Sequence, residues 1–120
     1  MSNILKPLVD FSFVLPIYNE EETLPEVFRR IGRVMDDLPM ECEAVFVDDG
    51  SIDSSRSMLR RAASEDPRIR VVFLSRNHGH QLAVTAGMHH ANGQKAVFVL
   101  DGDLQDPPEL ASDFLQKMEE

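Results

Sequence analysis

Short apolar runs alternate along the chain with longer stretches whose apolar residues recur at helical spacing. Phe11 to Leu15 predicts a first strand, ended by Pro16. Asn19 then offers a helix cap, and Glu22 three residues on completes a capping box. Leu24, Val27, Phe28, Ile31, Val34, Met35 and Leu38 follow, one apolar face over about four turns. Ala44 to Val47 predicts a second strand, running into Asp48-Asp49-Gly50-Ser51. A helix begun at Asp53 or Ser54 would turn Met58, Leu59, Ala62 and Ala63 inward. Ile69 to Leu74 predicts a third strand, which leads into Ser75-Arg76-Asn77-His78-Gly79-His80. The next helix is rich in small residues (Ala83, Ala86, Gly87, Ala91), so it would lie close on a sheet. Ala96 to Leu100 predicts a fourth strand, and Asp106 with Pro107 the start of a last helix.

Strands that are short and apolar throughout, alternating with helices, predict an α/β fold. The expected architecture is three layers, α/β/α, around a mostly parallel sheet with right-handed crossovers. Ligands of such open sheets bind beyond the carboxyl ends of the strands. Tyr18-Asn19-Glu20, Asp48-Asp49, Arg76-Asn77 and Asp101-Gly102-Asp103 each follow a predicted strand and are expected to converge on one edge.

Charge narrows the choice of ligand. The 120 residues carry 12 basic against 21 acidic side chains, a formal net charge of −9. That argues against nucleic acid, which needs clustered Lys and Arg. An anionic ligand remains compatible if a metal cation stands between it and the protein. The single Cys42 cannot form an internal disulfide, is expected to be a small buried hydrophobe, and suits a reducing cytoplasmic setting. No apolar run approaches the roughly 18 residues of a membrane span, so this chain is expected to be soluble.

Asp101 and Asp103 supply the chemistry that charge calls for. Residues two apart in an extended segment project to one side, and two carboxylates about 4 Å apart repel by about 4 kcal/mol at a dielectric of 20. A hard divalent cation reverses that sign, since Mg²⁺ prefers oxygen ligands shared between carboxylates and phosphates. Gly102 would let a phosphate approach closely, and Gln105 adds a further oxygen. Taken alone the pair equally suits a simple turn. Asp48-Asp49-Gly50-Ser51 equally suits an ordinary turn and helix start. As a ligand contact, Asp49, nearer the turn, is the better candidate to accept hydrogen bonds from a base N–H or ribose hydroxyls, while Asp48 reads as structural. Tyr18 could stack on a base. Glu21 reads as a helix N-terminal charge, and His80 as a phosphate contact or a plain loop residue. The glycine-rich phosphate loops G-x-x-x-x-G-K-[ST] and G-x-G-x-x-G are absent. His78-x-His80 and His89-His90 do not have zinc-site spacing.

Four ordered segments, "VLPIYNEEETLPEV", "FVDDGSIDSS", "LSRNHGHQLAVTAGMHHA" and "VFVLDGDLQDPPEL", resemble the N-terminal half of family 2 glycosyltransferases of the GT-A fold. The similarity is strongest to polyprenyl-phosphate (dolichyl-phosphate) mannosyl- or glucosyltransferases. It covers residues 11–120 as the nucleotide-sugar-binding part, with residues 1–10 as an N-terminal extension. The resemblance implies that Pro16, Tyr18, Glu20, Val47 and Asp49 line a nucleoside pocket and that Gly102 lies against the diphosphate. It implies Asp101, Asp103 and Gln105 as ligands of Mg²⁺ or Mn²⁺. Gly102 stands where Ala or Asp is more frequent, and His78 where an aromatic is frequent.

The implied activity of the longer enzyme is transfer of a hexose from a UDP- or GDP-sugar to a polyprenyl phosphate, at the cytoplasmic face of a membrane. The resemblance points to inversion at the anomeric carbon, and no general base can be named. The chain ends one predicted helix beyond the metal motif, so on its own it is expected to be inactive. A non-catalytic nucleotide-sugar-binding module and a polysaccharide-directed family 2 transferase are the alternatives. A homo-oligomer is compatible with the sequence, and no nucleic-acid partner is expected. A phosphoacceptor signalling domain has similar length, but it needs acidic residues where the first strand here ends Pro-Ile-Tyr-Asn.

Overall fold

The computed structural model describes residues 9–100. They form β1 (Val9–Ile17), α1 (Leu24–Asp37), β2 (Cys42–Asp48), α2 (Ser55–Glu65), β3 (Ile69–Phe73), α3 (His80–His90) and β4 (Gly93–Val99). The strands make one sheet in the order β3-β2-β1-β4, with every neighbouring pair parallel. β1 at the centre pairs Phe13 with Ala44 on one side and Phe98 on the other.

Side-chain alternation along the strands divides the core in two. Phe11, Phe13, Leu15 and Ile17 face α1 and α2, burying Leu24, Val27, Ile31 and Leu59. Phe98 stacks on Phe13 with ring centres 5.8 Å apart, and Phe28 meets Phe46 edge-on at 5.4 Å. Val14, Val45 and Val47 face the other way, against Ala83 and Ala86 of α3. The result is the expected three-layer α/β/α arrangement. α3 lies very close to the sheet, because a Cβ on Gly87 would stand 2.3 Å from a Val14 methyl.

Several expected boundaries move, those of β1 and α1 among them. β1 begins at Val9, inside the stretch expected as an extension, and continues through Pro16, which pairs with Val47. The Ile17 carbonyl faces β2, where it accepts the Asp49 N–H, so alternation turns the Pro16 nitrogen toward β4. There the last described ladder bond is Leu100 N–H to the Val14 carbonyl, and the missing donor falls past it. α1 starts at Leu24, not after Asn19, with Thr23 at its N-cap, Pro25 in its first turn and no capping box. Asn19 adopts a left-handed φ of 53° and gives its side chain to another loop. The helix expected from Asp106 lies outside the described residues.

Candidate functional site

The three described loops at the carboxyl edge are tied to each other by hydrogen bonds that secondary structure does not supply. The Asn19 N–H donates to Ser51 Oγ at 2.9 Å, and the Ile52 N–H donates to Asn19 Oδ1 at 2.9 Å. The Glu20 N–H donates to Ser55 Oγ, and the Glu21 N–H to Asp53 Oδ2. Glu21 Oε2 in turn accepts the Ser54 N–H at 3.0 Å. The helix that Glu21 serves is therefore α2 rather than the α1 that follows it in sequence.

Asp49 joins the third loop. Buried at the end of β2, it accepts the His78 N–H at 2.8 Å on Oδ1 and the Gly79 N–H at 3.0 Å on Oδ2. Gly50 makes the approach possible, because its φ of +78° and lack of a side chain let it press on the next loop's backbone. A Cβ there would lie 2.4 Å from the Arg76 carbonyl carbon and the Asn77 nitrogen. Asp48 is fully buried, accepts the Ser51 N–H at 3.2 Å and lies 3.6 Å from Arg56 Nε. Its Oδ1 has no hydrogen-bond partner among the described residues. Asp48 thus shapes its own turn, as its position in the sequence suggested.

Between these loops lies a cavity of about 250 Å³ lined by Pro16, Ile17, Tyr18, Glu20, Asp49, Asn77, Gly79, His80 and Ala83. It is smaller than the roughly 300 Å³ at which pockets for drug-sized ligands begin, so it has room for part of a nucleotide sugar. Four of the expected pocket residues, Pro16, Tyr18, Glu20 and Asp49, meet here. Val47 does not line it. Its side chain is fully buried under α3, where a Cβ on Gly87 would come within 2.9 Å of it. Asp101, Gly102, Asp103 and Gln105 lie outside the described residues, which end with Leu100 hydrogen-bonded to Val14 on the same edge.

The lining is acidic. It carries the Glu20 and Asp49 carboxylates and no lysine or arginine among the described residues. A diphosphate brought to such a surface needs a cation of its own. Among the described residues no group of three or more His, Cys, Asp or Glu is placed to hold a metal. Asn77 and Gly79 were missed as individual site residues. The signal that could have found them is the strand-end rule applied to β3 as strictly as to β2.

The sequence profile described as Glycosyl transferase family 2 matches residues 12–120. The chain belongs to glycosyltransferase family 2. An uncharacterized glycosyltransferase of Bacillus subtilis (strain 168), YkcC, is 46% identical over 112 residues, covering 93% of this chain and 34% of that protein. An undecaprenyl-phosphate 4-deoxy-4-formamido-L-arabinose transferase of Salmonella choleraesuis (strain SC-B67) is 39% identical, covering 95% of this chain and 35% of that protein. This family 2 chain therefore spans about a third of the length of the curated relatives it matches.

Solved structures agree on the fold. TarS 1–349 of S. aureus in complex with UDP-GlcNAc superposes with a TM-score of 0.72 at 25% identity, over 92% of this chain and 31% of that one. The mannosyltransferase PcManGT of Pyrobaculum calidifontis, in complex with GDP-Man and Mn²⁺, gives 0.65 at 25% identity, over 85% and 34%. The four-stranded parallel sheet with its helices is part of a GT-A glycosyltransferase fold.

Proposed function

We propose that the chain is the donor-binding part of an enzyme that transfers a sugar from a UDP- or GDP-sugar to a polyprenyl phosphate. The observation that carries this is the acidic cavity where Pro16, Tyr18, Glu20 and Asp49 meet at the carboxyl edge of a family 2 sheet. The acceptor is argued from the relatives named for undecaprenyl phosphate. The transferred unit implied by the family resemblance is a hexose. Those relatives are named for a formamido-arabinose, which makes a modified pentose the second donor to test. Work at the cytoplasmic face of a membrane belongs to the same proposal, and no helix among the described residues is long and apolar enough to cross one.

The donor set Asp101, Asp103 and Gln105, two carboxylates and an amide oxygen, fits a hard divalent cation such as Mg²⁺ or Mn²⁺. When bound, such an ion neutralises the diphosphate and stabilises it as a leaving group. Tyr18 offers a flat apolar surface to a base, and Glu20 and Asp49 offer acceptors to base N–H or ribose hydroxyl groups. A phosphate acceptor is already anionic at neutral pH, so the reaction does not require a strong base from this part of the enzyme.

Calorimetric titration with UDP and GDP, with and without Mg²⁺, tests the proposal. One nucleotide should bind with a metal-dependent affinity, and Asp103→Asn should weaken it about tenfold or more. Binding indifferent to both metal and substitution would refute it.

A further inference from the structure

Asn19 lies between two cavity residues, Tyr18 and Glu20, without lining the cavity itself. It is the only non-glycine residue with positive φ among the described residues. Both of its cross-loop bonds run to residues more than thirty positions away, one through its backbone N–H to Ser51 and one through its side chain from Ile52. The Ile52 side chain at the other end of the second bond is 88% exposed, so the packing of that side chain does not hold the loop in place. The left-handed turn reverses the chain after β1, and the two bonds fix where the reversal points. Asparagine is a side chain that tolerates this φ while keeping an acceptor three bonds from its Cα.

We infer that Asn19 is a positioning residue of the nucleotide cavity, locking the loop after β1 onto the loop after β2 so that Tyr18 and Glu20 face one ligand. The inference rests on the donor-site proposal for what the ligand is, and on the hydrogen bonds alone for the lock. Three substitutions separate its two contributions. Asn19→Asp keeps the acceptor and the tolerance for positive φ, Asn19→Gly keeps only the backbone conformation, and Asn19→Ala keeps neither.

Two readouts are taken on the whole chain well below each variant's unfolding midpoint. The first is amide hydrogen exchange at Ile52 without ligand. It should be slow in the wild type and in Asn19→Asp, and at least about tenfold faster in Asn19→Gly and Asn19→Ala, as expected for a lost hydrogen bond. The second is the dissociation constant for UDP or GDP with Mg²⁺. It should rise by less than about threefold for Asp, about tenfold for Gly and further for Ala, in step with loss of the bond.

Unchanged exchange at Ile52 in Asn19→Gly overturns the lock. Faster exchange with unchanged affinity, in a wild type that binds, overturns the positioning role. A wild type that binds neither nucleotide removes the donor-site proposal and the positioning role with it, while the exchange data still decide whether the lock exists.

Discussion

At the scale of single residues, the site depends on how closely backbones approach. Gly50→Ala would put a methyl group 2.4 Å from backbone atoms of Arg76 and Asn77, which cannot rotate away, at a φ of +78°. The expected cost is about 2–4 kcal/mol, from backbone strain and overpacking together. Urea unfolding should show that loss, and nucleotide affinity should fall with it because the loop carrying Asn77 and Gly79 is displaced. Asp66 gives a test by pH. Hydrogen bonds from Arg68 hold its carboxyl below the usual carboxylate range. A folded-state value below the unfolded one of about 3.9 stabilises above that pH and is lost as pH falls through the folded value. Wild type should therefore lose stability below about pH 4, and Asp66→Asn should lose less over the same interval. Which residues carry the site was partly legible. Tyr18, Glu20 and Asp49 stand in strand-end motifs that could be read directly. The cross-loop partners of Asn19 and Glu21 could not, because residues more than thirty apart meet only once the strands are in register.

At the scale of elements, periodicity and small residues were dependable guides, whereas local capping signals were not. The spacing from Leu24 to Leu38 located α1 and its buried face, but Asn19 and Glu22 gave its start too early. A capping residue is a local hydrogen-bond option, and at Asn19 a tertiary donor, the Ile52 N–H, outcompeted it. Pro16 likewise marked a strand end only until the neighbour on its nitrogen side was known. The small residues of α3 correctly indicated close contact, and Gly87 marks where that contact is tightest. Gly87→Ala should destabilise by about 1–3 kcal/mol, because the new methyl meets Val14 at 2.3 Å and Val47 at 2.9 Å. The second substitution Val14→Ala removes the obstructing atoms. If close packing is the cause, the double variant should be more stable than the sum of the two single changes, as thermal unfolding would measure. Strict additivity would mean that α3 yields instead.

At the scale of the molecule, the two ends of the sheet carry different duties. The carboxyl ends hold the cavity, while the amino ends hold a buried ionic cluster that no sequence pattern announced. Glu43 is almost fully buried, and Arg70 donates to it at 2.7 Å. Glu43 also accepts from the Ser12 hydroxyl and, at 2.6 Å, from the Asn92 N–H. Arg70 donates as well to the His90 carbonyl at 2.8 Å, at the end of α3. One carboxylate and one guanidinium thus join β1, β2, β3 and the turn into β4. A glutamate beside an apolar run has no local signal for such a role, since its partners Ser12, Arg70 and Asn92 are all distant in sequence, on either side of it. Glu43→Gln removes the charge that Arg70 faces. The Arg70 side chain is 31% exposed, so the cost should fall at or below the few kcal/mol of a fully buried pair, about 2–4 kcal/mol. Glu43→Gln with Arg70→Met should recover part of that loss, since no uncompensated charge then remains. Because the cluster and the cavity sit at opposite ends of rigid strands, nucleotide affinity measured well below the midpoint should stay within about twofold of wild type. A large affinity loss in a variant that is still folded would show that the amino-end clamp sets the geometry of the carboxyl-end loops through the strands.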